Sequence, residues 1–542
     1  MLLLFLLIAP AAAGAGASLD PLPAAEWTPE AAGHLLRRAG FGGSPEDVRA
    51  LHALGLDGAL DALLGWEGQA DAEIEGPGIA VTTQPGRDMR MAAGSPEELQ
   101  QMVREHRRKD AMQLMRVREW WVQSMICTRF PLRERMVLFW HGHFTSGYRD
   151  VRNSYHMYIQ NTLFRRRAAG SFRALLHEIS KDPAMLEYLD NNRNRKEHPN
   201  ENYAREVMEL FTLGTGNYTE DDIKELARGL TGWTFEGNRF AFHERAHDGG
   251  GKTFLGRRGR FDGDEMLDII LDQPAASRHL AGRLWAYFAG GDADPAVIDG
   301  LAKTLRDGDW QLAPALRQLF RSRAFFATAG QRIKSPVELI VGLYRTTGLE
   351  SRGAFGLSLA AEALGQALLD PPNVKGWPGG RDWITTSLLF SRYNVASAIV
   401  GLPGDRARLL DGMGAEGPAG KGLRLLERAR RVDPNGEEME GMGPGEGMEE
   451  DEAPRYGRGR RRGEGFAPVY DVLGEVRERG LITPEEIVDF YARAFLVVPP
   501  PADLRATLVE YLKGLDLSRP DAKEMLHGLL RLLVSTPEFQ LS

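Results

Sequence analysis

The chain has 542 residues, 43% of them hydrophobic and 26% charged, with a net charge of −8 and a single cysteine. That is the balance of a globular protein large enough for more than one domain-sized core. The acidic sum lacks the basic face of a nucleic-acid binder, one cysteine excludes an intrachain disulfide framework, and no stretch is long and apolar enough for a membrane span.

The chain opens MLLLFLLIAPAAAGAGASLD, an apolar run from Leu2 to Ala9 followed by small residues, with Ala15-Gly16-Ala17 fitting a cleavage signal. No Lys or Arg precedes the run, and it is far shorter than the roughly 20 residues of a span. Residues 1–17 are therefore expected to be a cleaved signal peptide, with a short N-terminal anchor as the alternative. On that expectation the protein is exported, to the periplasm or outside the cell.

A main helical domain is predicted over 26–403. Thr28-Pro29-Glu30 opens a helix, the glycines of 40–43 break it, and Ser44-Pro45-Glu46-Asp47 caps the next. Residues 66–98 lose periodicity and gain Gly and Pro, the composition of a loop or insertion. A long amphipathic helix is expected from about Glu97 to Met125. Cys127 follows among Met125, Ile126 and Phe130, which predicts a buried structural thiol rather than a nucleophile.

The stretch RERMVLFWHGHFTSG places His141 and His143 two apart. In a helix they point to nearly opposite sides, whereas in an extended segment freed by Gly142 both could face one ion. Neutral imidazoles would suit a divalent transition metal such as zinc, iron or copper. The competing reading makes them histidines capping an aromatic helix end.

In EYLDNNRNRKEHPNENYAREVMELFTLG, Asp190, Asn192, Asn194 and Glu201 fall at positions 1, 3, 5 and 12 of a calcium-loop template. Arg195 stands where that loop needs Gly, and Arg193, Arg195 and Lys196 oppose a divalent ion. The helix that follows is more informative. Asn200 is its predicted N-cap, Tyr203, Val207, Leu210 and Phe211 form an apolar stripe, and Glu201, Arg205, Glu206 and Glu209 line its flank.

Beyond it, Thr219/Asp222 and Asp262/Glu265 have capping-box spacing. A small hairpin or ordered loop is expected near 238–256, where FAFHERAHDGGGKTFLG alternates aromatics and ends in glycines. His247 and Asp248 within it are further metal-ligand candidates. Residues 364–396 hold Trp377, Arg381, Asp382 and Trp383 on Pro-rich turns, a surface type used for sugars or peptides, although packing onto the core explains the same residues. Residues 404–466 are Gly-rich with an acidic block and then a basic one, and are expected to be a disordered linker. A helical C-terminal unit closes the chain over 467–542. No P-loop, Rossmann fingerprint, nucleophile elbow or HExxH motif occurs.

Taken together, HLLRRAGFGGSPEDV, FWHGHFTSG, NENYAREVMELFTLGTGNYTEDDIKELARGLTGWTF, HDGGGKTFLG, KSPVELIVGLYRTTG and PPNVKGWPGGRDWITTSLLFSRYNVA resemble the bacterial domain-of-unknown-function 1800 family, in order, from about 30 to 540. The resemblance implies a mainly helical exported protein, often encoded beside an exported sulfatase-like protein, and it supplies no reaction or catalytic residue. It also implies that NENYARE and WHGHF are shared stretches, and that Phe211 stands where relatives tend to carry His.

The fold class expected is mainly α: a multi-helical domain, a small hairpin, a disordered linker and a helical C-terminal unit. Two functions follow from the residues. One is a non-catalytic binding or assembly module using Trp377, Arg381, Asp382 and Trp383, for which the resemblance implies the sulfatase-like protein as partner. The other is a metal-assisted hydrolase drawing on His141, His143, Glu206, His247 and Asp248, with a divalent transition metal as cofactor.

Overall fold

In a computed structural model the described residues are 18–66, 69, 76–81, 89, 92–349, 355–402 and 469–542. The expected signal peptide and the 404–466 linker lie outside them, as does much of 66–98.

The described chain is mainly α-helical. It begins with α1 (Pro29–Ala39), α2 (Pro45–Ala53), α3 (Gly55–Leu64), α4 (Pro96–Cys127), α5 (Pro131–His143), α6 (Ser154–Arg166), α7 (Phe172–Ile179) and α8 (Pro183–Tyr188). Next come α9 (Glu201–Glu206), a π turn (Val207–Thr212) and α10 (Glu220–Gly229). After the strands follow α11 (Gly263–Leu271), α12 (Pro274–Phe288), α13 (Pro295–Asp307), α14 (Leu312–Arg321), α15 (Pro336–Thr347), α16 (Phe355–Ala363) and α17 (Thr386–Val400). The C-terminal helices are α18 (Val472–Glu478), α19 (Pro484–Phe495), α20 (Ala502–Tyr511) and α21 (Ala522–Val534).

The helix starts follow their local chemistry. Thr28 accepts from the Ala31 N–H, and Ser44 with Asp47, Thr219 with Asp222, and Asp262 with Glu265 form complete capping boxes. Each satisfies N–H groups that would otherwise lack partners. A third helix, α3, extends the expected N-terminal pair.

The hairpin expected near 238–256 is two hairpins. Strands β1 (Trp233–Glu236) and β2 (Arg239–Phe242) pair antiparallel, Trp233 opposite Phe242, while β3 (Lys252–Phe254) and β4 (Arg257–Gly259) pair separately. The HERAHDGGG stretch joins them.

The apolar core is continuous. Leu22 and Leu35 near the start, Trp140 and Phe144 in the middle, and Leu530 and Phe539 near the end belong to one buried cluster. The C-terminal helices share it: α21 packs on α17, and the buried His527 sets its Nδ1 2.7 Å from the Val400 carbonyl. Cys127 corrects the expectation of a buried thiol, because it is exposed. Met125 and Ile126 occupy the inward positions at the end of α4, which turns the next side chain outward. Among the described residues, no helix is long and apolar enough to cross a membrane.

Candidate functional site

Three of the stretches singled out in the sequence meet at the C-terminal end of α5. A methyl group placed at Gly142 would lie 3.7 Å from the Trp377 ring. Gly376, at φ +91°, fits against the Gly142 carbonyl so closely that a Cβ there would sit 2.5 Å from that oxygen. Only glycine combines that conformation with that approach.

The 364–384 loop is pinned on its other side by the single helical turn Tyr148–Val151. The Tyr148 N–H donates to the Leu369 carbonyl (3.0 Å) and the Arg149 N–H to Asp370 Oδ1 (3.1 Å). Arg149 Nε lies 2.9 Å from Asp370 Oδ2. Asp150 and Asp370 both stand close to Gly147 and to the Tyr188 ring of α8.

The other wall is α9 with its π turn. Asn200 caps α9 by accepting from the Asn202 N–H, and Tyr203, Val207 and Phe211 are buried, so the apolar stripe is realised. Past Glu206 the ladder widens: the Leu213 N–H reaches the Met208 carbonyl (2.9 Å) and Thr212 Oγ1 donates to the Val207 carbonyl (2.6 Å). Two histidines from distant helices close the turn. His143 Nε2 is 3.0 Å from the Phe211 carbonyl and His279 Nε2 of α12 is 2.9 Å from the Leu210 carbonyl. A carbonyl only accepts, so both rings carry the proton on Nε2. Single-turn π insertions recur at functional sites.

Glu206 and Glu209 therefore lie on a locally widened helix facing the 364–384 loop. Burial raises the proton affinity of Glu206, the neighbouring Glu209 raises it further, and Arg205 and Lys375 oppose the rise. Glu209 accepts from Tyr218 Oη (3.2 Å), and Arg205 forks between Glu201 and Glu220. Glu206 is half-buried and makes no hydrogen bond or ion pair among the described residues. Burial, with Asp150, Asp370 and Glu206 nearby, pushes the Tyr188 phenol up to about 12.

The structure does not gather the five metal-ligand candidates. Because α5 runs through His143, the His-x-His pair diverges, as helical geometry dictates. His141 is buried against the Trp121 and Phe164 rings, 4.7 Å from each centroid, and its Nε2 accepts from Asn161 Nδ2 (3.1 Å). Burial lowers its pKa to about 3, with Arg165 adding to the effect. His143 lies among Phe139, Phe144, Phe211 and His279, and its Nδ1 is buried without a partner. His247 sets its Nδ1 2.9 Å from the Thr231 carbonyl, and Asp248 takes Arg228 Nε at 2.7 Å, so this pair ties the loop before β3 to the end of α10. Of the five, Glu206 alone stands beside the 364–384 loop, within electrostatic reach of Lys375. Among the described residues no three His, Cys, Asp or Glu side chains are placed to hold a metal ion.

The calcium-like loop is likewise internal mortar. Asn191 and Asn194 are buried, and the Asn194 side chain donates to the Ala227 carbonyl (2.9 Å) and to Asn191 (3.1 Å).

The aromatic candidates also serve the scaffold. Trp383 is buried and packs on Gly365. Trp377 is partly buried and donates its indole N–H to the Ala367 carbonyl (3.0 Å). Arg381 and Asp382 are exposed on the same loop. Sequence reasoning missed Tyr188 and His279, which lie in unremarkable local sequence, whereas Lys375 stands in the 364–396 stretch beside Trp377 and Trp383.

Comparison with curated proteins and with solved structures finds no match. Residues 34–541 match a family model described as "Protein of unknown function (DUF1800)". The chain belongs to that family.

Proposed function

We propose that the protein is an exported binding or assembly module whose recognition face is the cleft between the π turn and the 364–384 loop. Glu206, Glu209 and Tyr188 form one side, and Lys375, Arg381 and Asp382 stand exposed on the loop that borders it. One observation carries the reading: Glu206 is a half-buried carboxylate with no hydrogen bond or ion pair among the described residues, while the nearby carboxylates Glu209 and Asp370 are both engaged. Partial burial without a partner is costly unless a donor arrives from outside. A cationic side chain of a protein partner supplies that donor, and an exported sulfatase-like protein is the partner proposed.

The test uses the full chain and such a partner from the same source. Their affinity should fall at least tenfold in a Glu206→Gln/Lys375→Glu variant that keeps its melting temperature. Unchanged affinity, or no binding by the unaltered protein, overturns the reading. The alternative, a metal-assisted hydrolase, finds no assembled ligand set among the described residues.

A further inference from the structure

Beneath the cleft, several segments meet around one buried carboxyl group. Asp182 is 5% exposed and caps α8 by accepting from the Met185 N–H (3.1 Å). The same oxygen, Oδ1, accepts from Gln160 Nε2 of α6 (2.8 Å), and that amide nitrogen also donates to Ser146 Oγ (3.0 Å). Tyr203 of α9 stands near enough for the Asp182 charge to act on its phenol. This cluster connects to the cleft by two short routes. Ser146 precedes Gly147, which lies against Asp370 and the Tyr188 ring. Helix α8 packs on α6 and on the Tyr148–Val151 turn, and it ends at Tyr188 itself.

The groups that donate to Asp182 are neutral, and the charged side chains of the surrounding elements are turned elsewhere. Lys181 holds Asp264 through both oxygens (2.7 and 2.8 Å), and Arg165 and Arg166 of α6 go to Glu134 and Glu178. Glu187 of α8 accepts from Asn192, Arg149 goes to Asp370, and Glu236 of β1 meets His243. An ionised carboxylate buried without a counter-charge is costly.

The ionised form also leaves its neighbour unsatisfied. Gln160 Oε1 is buried with no hydrogen-bond partner. A carboxylate only accepts, whereas a carboxylic acid also donates. With a proton on Oδ2, acid and amide can exchange two hydrogen bonds, N–H to Oδ1 and O–H to Oε1, and the orphaned acceptor is filled. Burial outweighs the Met185, Gln160 and Ala184 donors, which favour the charge, and pushes the Asp182 carboxyl up to about 7.

We propose that Asp182 is a proton-operated latch on α8: as the neutral acid it holds the helix closed against α6, and on losing its proton to solvent it favours an open position in which the carboxylate reaches water and the Tyr188 wall of the cleft loosens. The latch belongs to the fold and does not depend on what occupies the cleft. In the closed form the group keeps its proton up to about pH 7, whereas an open, hydrated carboxyl loses it near the ordinary value of 3.8. Opening therefore releases a proton between those values, so it grows about tenfold per pH unit across most of that interval and levels off above it.

Two measurements on the full chain test the latch. Infrared difference spectra at pH 6 should show a protonated carboxyl C=O band that is lost in Asp182→Asn and in Asp182→Ser, the second of which keeps a cap for the Met185 N–H. Hydrogen exchange of peptides covering 183–188, read by mass spectrometry and corrected for the intrinsic pH dependence of exchange, should show opening rising about tenfold per unit from roughly pH 5 to 6.5. In either folded variant that rise should disappear. Two results overturn the proposal: an infrared spectrum unchanged by both substitutions, which means that Asp182 is ionised at pH 6, or opening with the same pH dependence in the unaltered protein and the folded variants.

Discussion

His141 offers a direct test of how the buried core responds to acid. The ring is 1% exposed, and its Nε2 accepts a hydrogen bond from Asn161 Nδ2. The orientation of Asn161 is fixed from its other end, because its Oδ1 accepts from Arg165 Nη1 at 2.8 Å. Protonating His141 would therefore set an N–H against an amide N–H in a dry site near a guanidinium. Its folded pKa is about 3 against a reference of 6.5. The sign follows from proton binding: between those values the unfolded chain holds a proton that the folded chain does not, so stability falls as pH falls.

At pH 5 the difference is 1.5 pH units below the reference value, which at about 1.36 kcal/mol per unit makes about 2 kcal/mol from this residue alone. His141→Gln keeps an acceptor for Asn161 but cannot titrate. Urea unfolding at pH 7.5 and 5.0, followed by far-ultraviolet circular dichroism, should show the unaltered protein losing about 2 kcal/mol more than the variant over that interval. His34, His143, His156 and His279 also have lowered pKa values and add a common acid sensitivity, while His177, raised by Asp264 and Asp268, works in the opposite direction. Those contributions cancel in the comparison. Equal losses in the two proteins would refute the argument that His141 is held neutral.

Glu338→Ala leaves the Arg135 and Arg332 guanidiniums without their carboxylate, and unfolding should become easier by about 3–5 kcal/mol, read as a fall in urea midpoint. Its folded pKa is strongly depressed, so its contribution is fully present above the unfolded carboxylate pKa and is lost progressively as pH falls below that value. Gly376→Ala should detach the 364–384 loop from α5, visible as faster amide exchange over those residues with little change in α19–α21. Trp377→Ala removes the ring over Gly142 and the bond to Ala367, costing about 3 kcal/mol in a melting or urea measurement. His279→Phe strips the donor from the Leu210 carbonyl, and amides of the π turn should exchange faster at a stability cost of about 1–3 kcal/mol.

What the sequence disclosed was local. The caps at Thr28, Ser44, Asn200, Thr219 and Asp262 were legible because their partners lie within three residues. The stripe through Tyr203, Val207 and Phe211 was legible because periodicity alone sets its face. The long helix to Cys127 was legible too, but the exposure of Cys127 depends on which side of α4 meets its neighbours. The calcium-like spacing in the 190–201 loop misled because oxygen-bearing side chains serve equally well as donors and acceptors to backbone: Asn194 bonds Ala227, 33 residues away. The Trp-rich loop read equally as a binding surface or as packing, and the indole positions of Trp377 and Trp383 are those of packing.

The π turn was the least legible element, and it links the histidines to the cleft. Nothing in VMELFT favours an extra residue per turn, and an ordinary helix would satisfy its own carbonyls. The widened turn instead presents the Leu210 and Phe211 carbonyls to donors, and the donors come from α12 and α5, 69 and 68 residues away. His143 supplies one of them because α5 continues to that residue and its ring lies buried beside Phe211. The same helix end carries Gly142, which receives Trp377 and Gly376 of the opposite wall. A single helix terminus thus braces both sides of the cleft that holds Glu206. On that geometry, substituting His143 moves Glu206 relative to Lys375 without touching either, and its effect on partner binding should parallel that of His279, which braces the neighbouring carbonyl.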